Sequence, residues 1–172
     1  MAREFFDVAF ILPLDEEFRR FVDVFPVTRD DTVGAHYYAV VDSGAPDFKT
    51  VAILQDAMGK AAAQRATNVI LDLFDVGIII VVGIAGGISG DVALGDICVT
   101  GTIIDVLENA KIVSGKKNSN EIEFASIFLS TDQILSFSFK YASLGSDVRA
   151  IYEDWQLNQF YKAKSVIPNE FI

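Results

Sequence analysis

Three consecutive carboxylates, Asp15, Glu16 and Glu17, follow one apolar segment, and a cluster of small residues, Gly83-Ile84-Ala85-Gly86-Gly87, follows another. A carboxylate at a strand-to-helix turn can serve as a general base or as the acceptor that orients a substrate hydroxyl. Glycines at the carboxyl end of a strand let a ligand approach the backbone closely, and in open α/β sheets ligands bind at that border. Both features share one pocket if their strands run parallel. By residue type alone each of the three acids is eligible. All three also suit the positive end of a helix dipole with no chemical role.

Other chemistries find less support. The glycine cluster lacks the first, third and sixth glycines of a dinucleotide fingerprint, and no Gly-Lys-Ser/Thr of a phosphate loop occurs. Gln55-Asp56-Ala57-Met58-Gly59-Lys60 places a glycine at a helix start, where anions can bind, although helix-start chemistry is the commoner reason for one. The single histidine, His36, beside Tyr37 and Tyr38, suits a structural place and cannot build a metal cluster. The single cysteine, Cys98, inside an apolar run, is expected as a buried thiol. A net charge of −10 disfavours nucleic acid and anionic lipid, so the expected partner is a small molecule, with no metal and no cofactor. The longest apolar run, Val76 to Ile88, has thirteen residues with four glycines and is too short to span a bilayer. The acidic flanks of the first apolar segment do not suit a signal peptide, and a cytoplasmic location is expected.

The elements that must position these residues are legible in outline. Asp7 to Leu14 is a strand, closed by Pro13, and Asp15 is expected to cap a helix with Phe18, Phe21, Val22 and Phe25 on one stripe up to Pro26. His36 to Val41 and Thr50 to Leu54 read as strands of a hairpin, joined by Asp-Ser-Gly-Ala-Pro-Asp turn chemistry. Lys60 to Phe74 is a helix burying Ala62, Ala66, Val69, Ile70 and Leu73. Val51 to Val82 is thus a βαβ unit with parallel neighbouring strands. Ile78 to Val82, apolar throughout, is expected mid-sheet with both faces buried, and Ile97 to Val99 as a further strand. Lys111 to Glu121 reads as an exposed polar loop, and Asp147 to Lys164 has helical spacing. One α/β domain over residues 1–172 is expected.

Four segments together, ILPLDEEF (Ile11 to Phe18), MGKAAAQRAT (Met58 to Thr67), VGIAGGISGDVALGDICV (Val82 to Val99) and IIDVLE (Ile103 to Glu108), resemble the purine and uridine nucleoside phosphorylase superfamily, on its nucleosidase side, close to the methylthioadenosine/adenosylhomocysteine nucleosidases. The resemblance covers roughly residues 5 to 110. It implies a three-layer α/β/α sandwich around a mixed, largely parallel sheet, and hydrolysis of the N-glycosidic bond of a purine nucleoside. It carries the water-orienting carboxylate to Glu17, the base and ribose site to Ile84, Ala85 and Gly86, the loop near the sugar to Met58 and Gly59, and a rim position to Asp105. Family members associate, so a homo-oligomer, dimer or larger, is implied.

This chain departs from the family pattern in several places. Pro13-Leu14-Asp15 stands where phosphorylases carry a Gly-Asp-x-x-Arg phosphate motif, and Ile84 where they carry Thr or Ser, which favours water over phosphate as acceptor. Val106 replaces the tyrosine that usually follows Asp105. The late Met-Glu pair that binds ribose hydroxyls, and the Ser-Asp segment whose aspartate protonates the purine, are not matched. The final third is therefore expected to be truncated or divergent, with weak or no activity. The alternative is a catalytically silent nucleoside-binding or oligomerisation module of a larger protein.

Overall fold

The computed structural model describes residues 3–87, 90–92, 96–105, 110–114, 120–124, 127–130, 132–133, 137–138, 145, 149–150, 153–154 and 157–158, and the statements below concern these. The chain divides into two compact units, Met1–Gly86 and Gly87–Ile172.

The first unit is built around β1 (Glu4–Leu12), whose apolar run is flanked on both sides by parallel strands, β4 (Thr50–Leu54) and β5 (Phe74–Val81). A strand with neighbours on both edges and helices on both faces tolerates apolar residues at every position. β3 (His36–Val41) pairs antiparallel with β4, and β2 (Val27–Val33) with β3, giving the order β2-β3-β4-β1-β5. The β3–β4 connection turns at Gly44, with φ of 76°, whose N–H donates to Asp42 Oδ1 at 2.8 Å.

Two helices cover opposite faces. In α2 (Lys60–Leu73), Ala62, Ala66 and Ile70 fall four apart and are buried, and Ala66 and Ile70 join a cluster with Val51 and Ile53 of β4. In α1 (Asp15–Val24), Phe18 packs with Ala52 of the same strand and Ala39 of β3. Successive β4 residues point to opposite sides, so the helices lie on opposite sides of the sheet and form an α/β/α sandwich. Ring contacts seal both layers, Phe10 on Phe21 at 4.9 Å and Phe6 on Phe74 at 4.9 Å.

Several expectations are corrected here. Strands β4 and β5 are parallel as the βαβ reading requires, but β1 lies between them. The strand expected over Ile78 to Val82 starts at Phe74 and is the outermost described strand of its sheet, with Ile78 and Val81 exposed, and among the described residues no strand pairs with its far edge. The N-cap of α1 is Leu14, not Asp15, which is the first helical residue. The edge strand β2 was not anticipated, since VTRDDTV is exposed along its length and shows no apolar alternation.

In the second unit, β6 (Thr102–Asp105) pairs antiparallel with β9 (Ile127–Ser130), and β7 (Ala110–Ser114) with β8 (Asn120–Phe124). The polar loop expected over Lys111 to Glu121 is thus strand at its two ends, in β7 and β8, and residues 115–119 lie outside the described residues. The β7–β8 register sets Ile112 against Ile122, between Lys111 opposite Glu123 and Val113 opposite Glu121, an alternation that the surrounding Lys, Asn and Ser residues obscure in the sequence. Residues 96–100 form no strand, and Ile97, Cys98 and Val99 are exposed, which overturns the buried thiol. Within Asp147 to Lys164, residues 149–150, 153–154 and 157–158 are helical, and Arg149 pairs with Glu153 at 2.8 Å one turn on. Val148, Ile151, Tyr152, Trp155 and Phe160 lie outside the described residues. Among these, no helix is long and apolar enough to cross a membrane.

Core position predicts mutational cost. Ile53→Ala, at a fully buried site, should lower unfolding free energy by about 2–5 kcal/mol, whereas Leu71→Ala, on the exposed face of α2, should change it by less than about 0.5 kcal/mol, both read by urea denaturation.

Candidate functional site

Parallel pairing brings the carboxyl ends of β4, β1 and β5 to one border. The alignment persists past the last paired residues, for Val82 N–H donates to Ile11 O at 3.0 Å and Gln55 N–H to Leu12 O at 3.0 Å. From this border β1 passes through Pro13 and Leu14 directly into α1, so the first helical turn stands over the sheet ends.

That geometry separates the three acids. Asp15 is drawn along the helix surface to Arg19 at 2.6 Å, and Glu16 is exposed. Glu17, the third helical residue, turns back: its Oε2 accepts the Leu14 N–H at 2.9 Å, which is half of a capping box, and its Oε1 accepts the Ile84 N–H at 2.6 Å. Leu14 has no side-chain oxygen to complete the box, so the helix start relies on this acceptor and on the negative charge at its positive end. A β-carbon placed on Gly83 would lie 3.0 Å from Glu17 Oε1 and 3.3 Å from Oε2. The first acidic turn and the glycine strand tip therefore meet at the same border.

Of the other expected positions in the first unit, Ile84 contributes its N–H to Glu17 while its side chain is 82% exposed. Ala85 and Gly86 continue in exposed backbone outside helix or strand, and a β-carbon on Gly86 would meet nothing within 4 Å. Met58, 73% exposed, and Gly59 follow β4 at this border. Gly59 is the N-cap of α2 with φ of 97°, which explains its residue type. Asp105 ends β6 in the second unit, and its side chain lies outside the described residues.

The loop carrying Met58 and Gly59 is tied down by a two-pronged ion pair, Arg65 Nε to Asp56 Oδ2 at 2.9 Å and the Arg65 terminal nitrogen to Oδ1 at 2.9 Å. The Arg65 hydrogen bonds, followed by its charge and that of His36, hold the Asp56 carboxyl below its usual range. His36 is buried at the start of β3, as its structural reading requires, and among the described residues its Nδ1 and the Oε1 of buried Gln55 have no hydrogen-bond partner. Sequence reasoning missed Leu14, Gly83 and the Asp56–Arg65 pair. Only the last carried a signal, opposite charges nine residues apart across a helix start. A cavity of about 240 Å³ lined by Glu4, Phe6, Thr28, Val40, Phe48 and Thr50 lies at the amino border, away from Glu17. Among the described residues, no three His, Cys, Asp or Glu side chains are grouped to hold a metal ion.

Comparison with known proteins decides the family, since the model of the phosphorylase superfamily matches residues 7–141, well over half of the chain. The chain belongs to the phosphorylase superfamily. Its match takes in both the Glu17 turn and the strand tip that binds it. A superfamily relative, the 5'-methylthioadenosine/S-adenosylhomocysteine nucleosidase of Actinobacillus succinogenes, is 39% identical over 62 residues, which is 36% of this chain and 27% of that protein. The matched region thus spans about a quarter of that curated relative's length. No solved structure matches the chain.

The Asp56–Arg65 pair gives a pH dependence of definite sign. A carboxyl whose folded pKa is depressed adds stability above its unfolded pKa and loses that contribution as pH falls through the folded value. Wild type should therefore melt above Asp56→Asn near neutral pH, and the two melting curves should converge in acid, below the ordinary carboxylate value of 3.8. Melting temperatures measured from pH 7 to pH 2 check this, and a gap that persists at pH 2 would remove the ion pair as its cause.

Proposed function

We propose that this chain is a nucleosidase-type domain that binds a purine nucleoside and hydrolyses its N-glycosidic bond. The observation that carries the reading is the Glu17 carboxylate, fixed by the Leu14 and Ile84 amides at the sheet's carboxyl border. Each carboxylate oxygen has two acceptor directions, and one amide on each leaves one on each free. One free direction takes a water hydrogen and the other a sugar hydroxyl. The oriented water adds to C1′ as the bond to the base breaks. The bonding electrons leave with the base nitrogen, the base takes up a proton, and the water's second proton is lost to solvent through Glu17, giving ribose and free base.

In this reading Ile84, Ala85 and Gly86 line the base and ribose, and Met58 and Gly59 lie toward the remainder of the sugar. The family match crosses from the first unit into the second, which supports treating residues 1–172 as one phosphorylase-like domain. A homo-oligomer is part of the proposal, resting on the family resemblance.

Turnover is expected to be weak. No Met-Glu pair occurs in the chain, and the family's late Ser-Asp segment, which supplies the proton donor, is not matched. A missing proton donor costs about 10²- to 10⁴-fold in general acid catalysis. The same feature favours a second reading, a module that binds the nucleoside without cleaving it.

Incubation of the full chain with methylthioadenosine, adenosine, inosine and AMP, with assay of free base, tests the proposal. Glu17→Gln should cut release by about 10²-fold or more. Unchanged turnover removes Glu17 from its role, and tight binding with no release by the wild type establishes the silent module instead.

A further inference from the structure

The glycine at the tip of β5 is not required by its backbone. Among the described residues the left-handed glycines are Gly34, Gly44 and Gly59, and Gly83 is not one of them. Nor is it hemmed in by main chain, as Gly77 is, where an added β-carbon would lie 2.9 Å from the Asp7 carbonyl oxygen. The nearest atoms to a β-carbon on Gly83 are Oε1, Oε2 and Cδ of Glu17, at 3.0, 3.3 and 3.4 Å. The missing side chain leaves the space that the carboxylate occupies.

We propose that Gly83 is a positioning residue for Glu17, keeping clear the one site from which the carboxylate can bind the Leu14 and Ile84 amides together. The proposal rests on the reading of Glu17 given above. A 2.6 Å bond to the amide next in sequence brings the carboxylate against the strand tip, where a methyl group on the preceding residue makes a contact tight enough that the carboxylate must give by a few tenths of an ångström. The group that must yield is the end of a flexible side chain, not backbone. Alanine at position 83 therefore leaves the fold intact and moves only the carboxylate.

The test compares full-length wild type, Gly83→Ala, Glu17→Gln, Glu17→Ala and the double variant Gly83→Ala/Glu17→Gln. The melting temperature of Gly83→Ala should stay within a few degrees of wild type, while its Ile84 amide should exchange with solvent about twofold faster or more, between wild type and Glu17→Ala, as measured by NMR. With methylthioadenosine or adenosine, kcat should fall by about tenfold with KM nearly unchanged, because the carboxylate must give by a few tenths of an ångström. The double variant should be no slower than Glu17→Gln, because both changes act on one group. Unchanged Ile84 protection, retained kcat, multiplying losses in the double variant, or a large drop in melting temperature each overturn the role. If the wild type releases no base, the nucleosidase reading fails, and Ile84 exchange alone decides whether Gly83 positions Glu17.

Discussion

One carboxylate, Glu17, joins two elements far apart in sequence. It satisfies the N–H of the α1 cap residue Leu14 with one oxygen and the N–H of Ile84, beyond the end of β5, with the other. Helix starts and strand ends both leave amide donors without partners, and an unsatisfied donor costs on the order of 1–3 kcal/mol where water cannot reach it. A charged acceptor serving two such donors helps hold the end of the sheet together. For this to happen β1 and β5 must run parallel and in register, Pro13-Leu14 must turn without a longer loop, and the strand tip must be narrow.

The sheet supplies those conditions because β1 is its shared centre. Val8 to Leu12 pairs with Thr50 to Leu54 on one side, and Val8 to Ile11 with Ile78 to Val81 on the other. Three parallel strand ends therefore lie level. The helices enforce this from both faces, with Phe18 against Ala39 and Ala52, and Ala66 and Ile70 against Val51 and Ile53. Small alanines at these contacts bring α2 close to the sheet, and the Asp56–Arg65 pair then fixes the loop that precedes it. The cores that stabilise the unit and the border that carries Glu17 are consequences of the same packing.

Much of this was readable from the amino acids because it depends on local pattern. Phe18, Phe21, Val22 and Phe25 mark α1 by spacing, and the alanine stripe marks α2; His36 to Val41 and Thr50 to Leu54 are strands within their expected bounds. What failed depends on partners rather than pattern. β2 is polar because it lies at an edge, and a run such as Ile78 to Val82 is equally apolar whether central or outermost. Within the acidic trio, composition offers no preference. Glu17 was singled out by family resemblance, and the physical reason appears only when position three of the helix is seen to face Ile84. Gly83 was illegible for the same cause, since its constraint comes from a residue sixty-six positions earlier in the chain.

The held carboxylate also bears on the choice of acceptor. A phosphate nucleophile approaching the sugar from Glu17 would bring negative charge toward negative charge, and at 4 Å two unit charges at an effective dielectric of 20 repel by about 4 kcal/mol. Phosphorolysis needs cations to offset that, and the segment where phosphorylases carry their arginine is here Pro13-Leu14-Asp15, with Arg19 and Arg20 engaged by Asp15 and Asp23 on the helix surface. Water carries no such penalty and donates hydrogen bonds that an ionised carboxylate accepts. In the proposed nucleosidase reading, a strand tip that offers the carboxylate a backbone donor, with apolar Ile84 in place of Ser or Thr, thus suits an acceptor that is neutral and small.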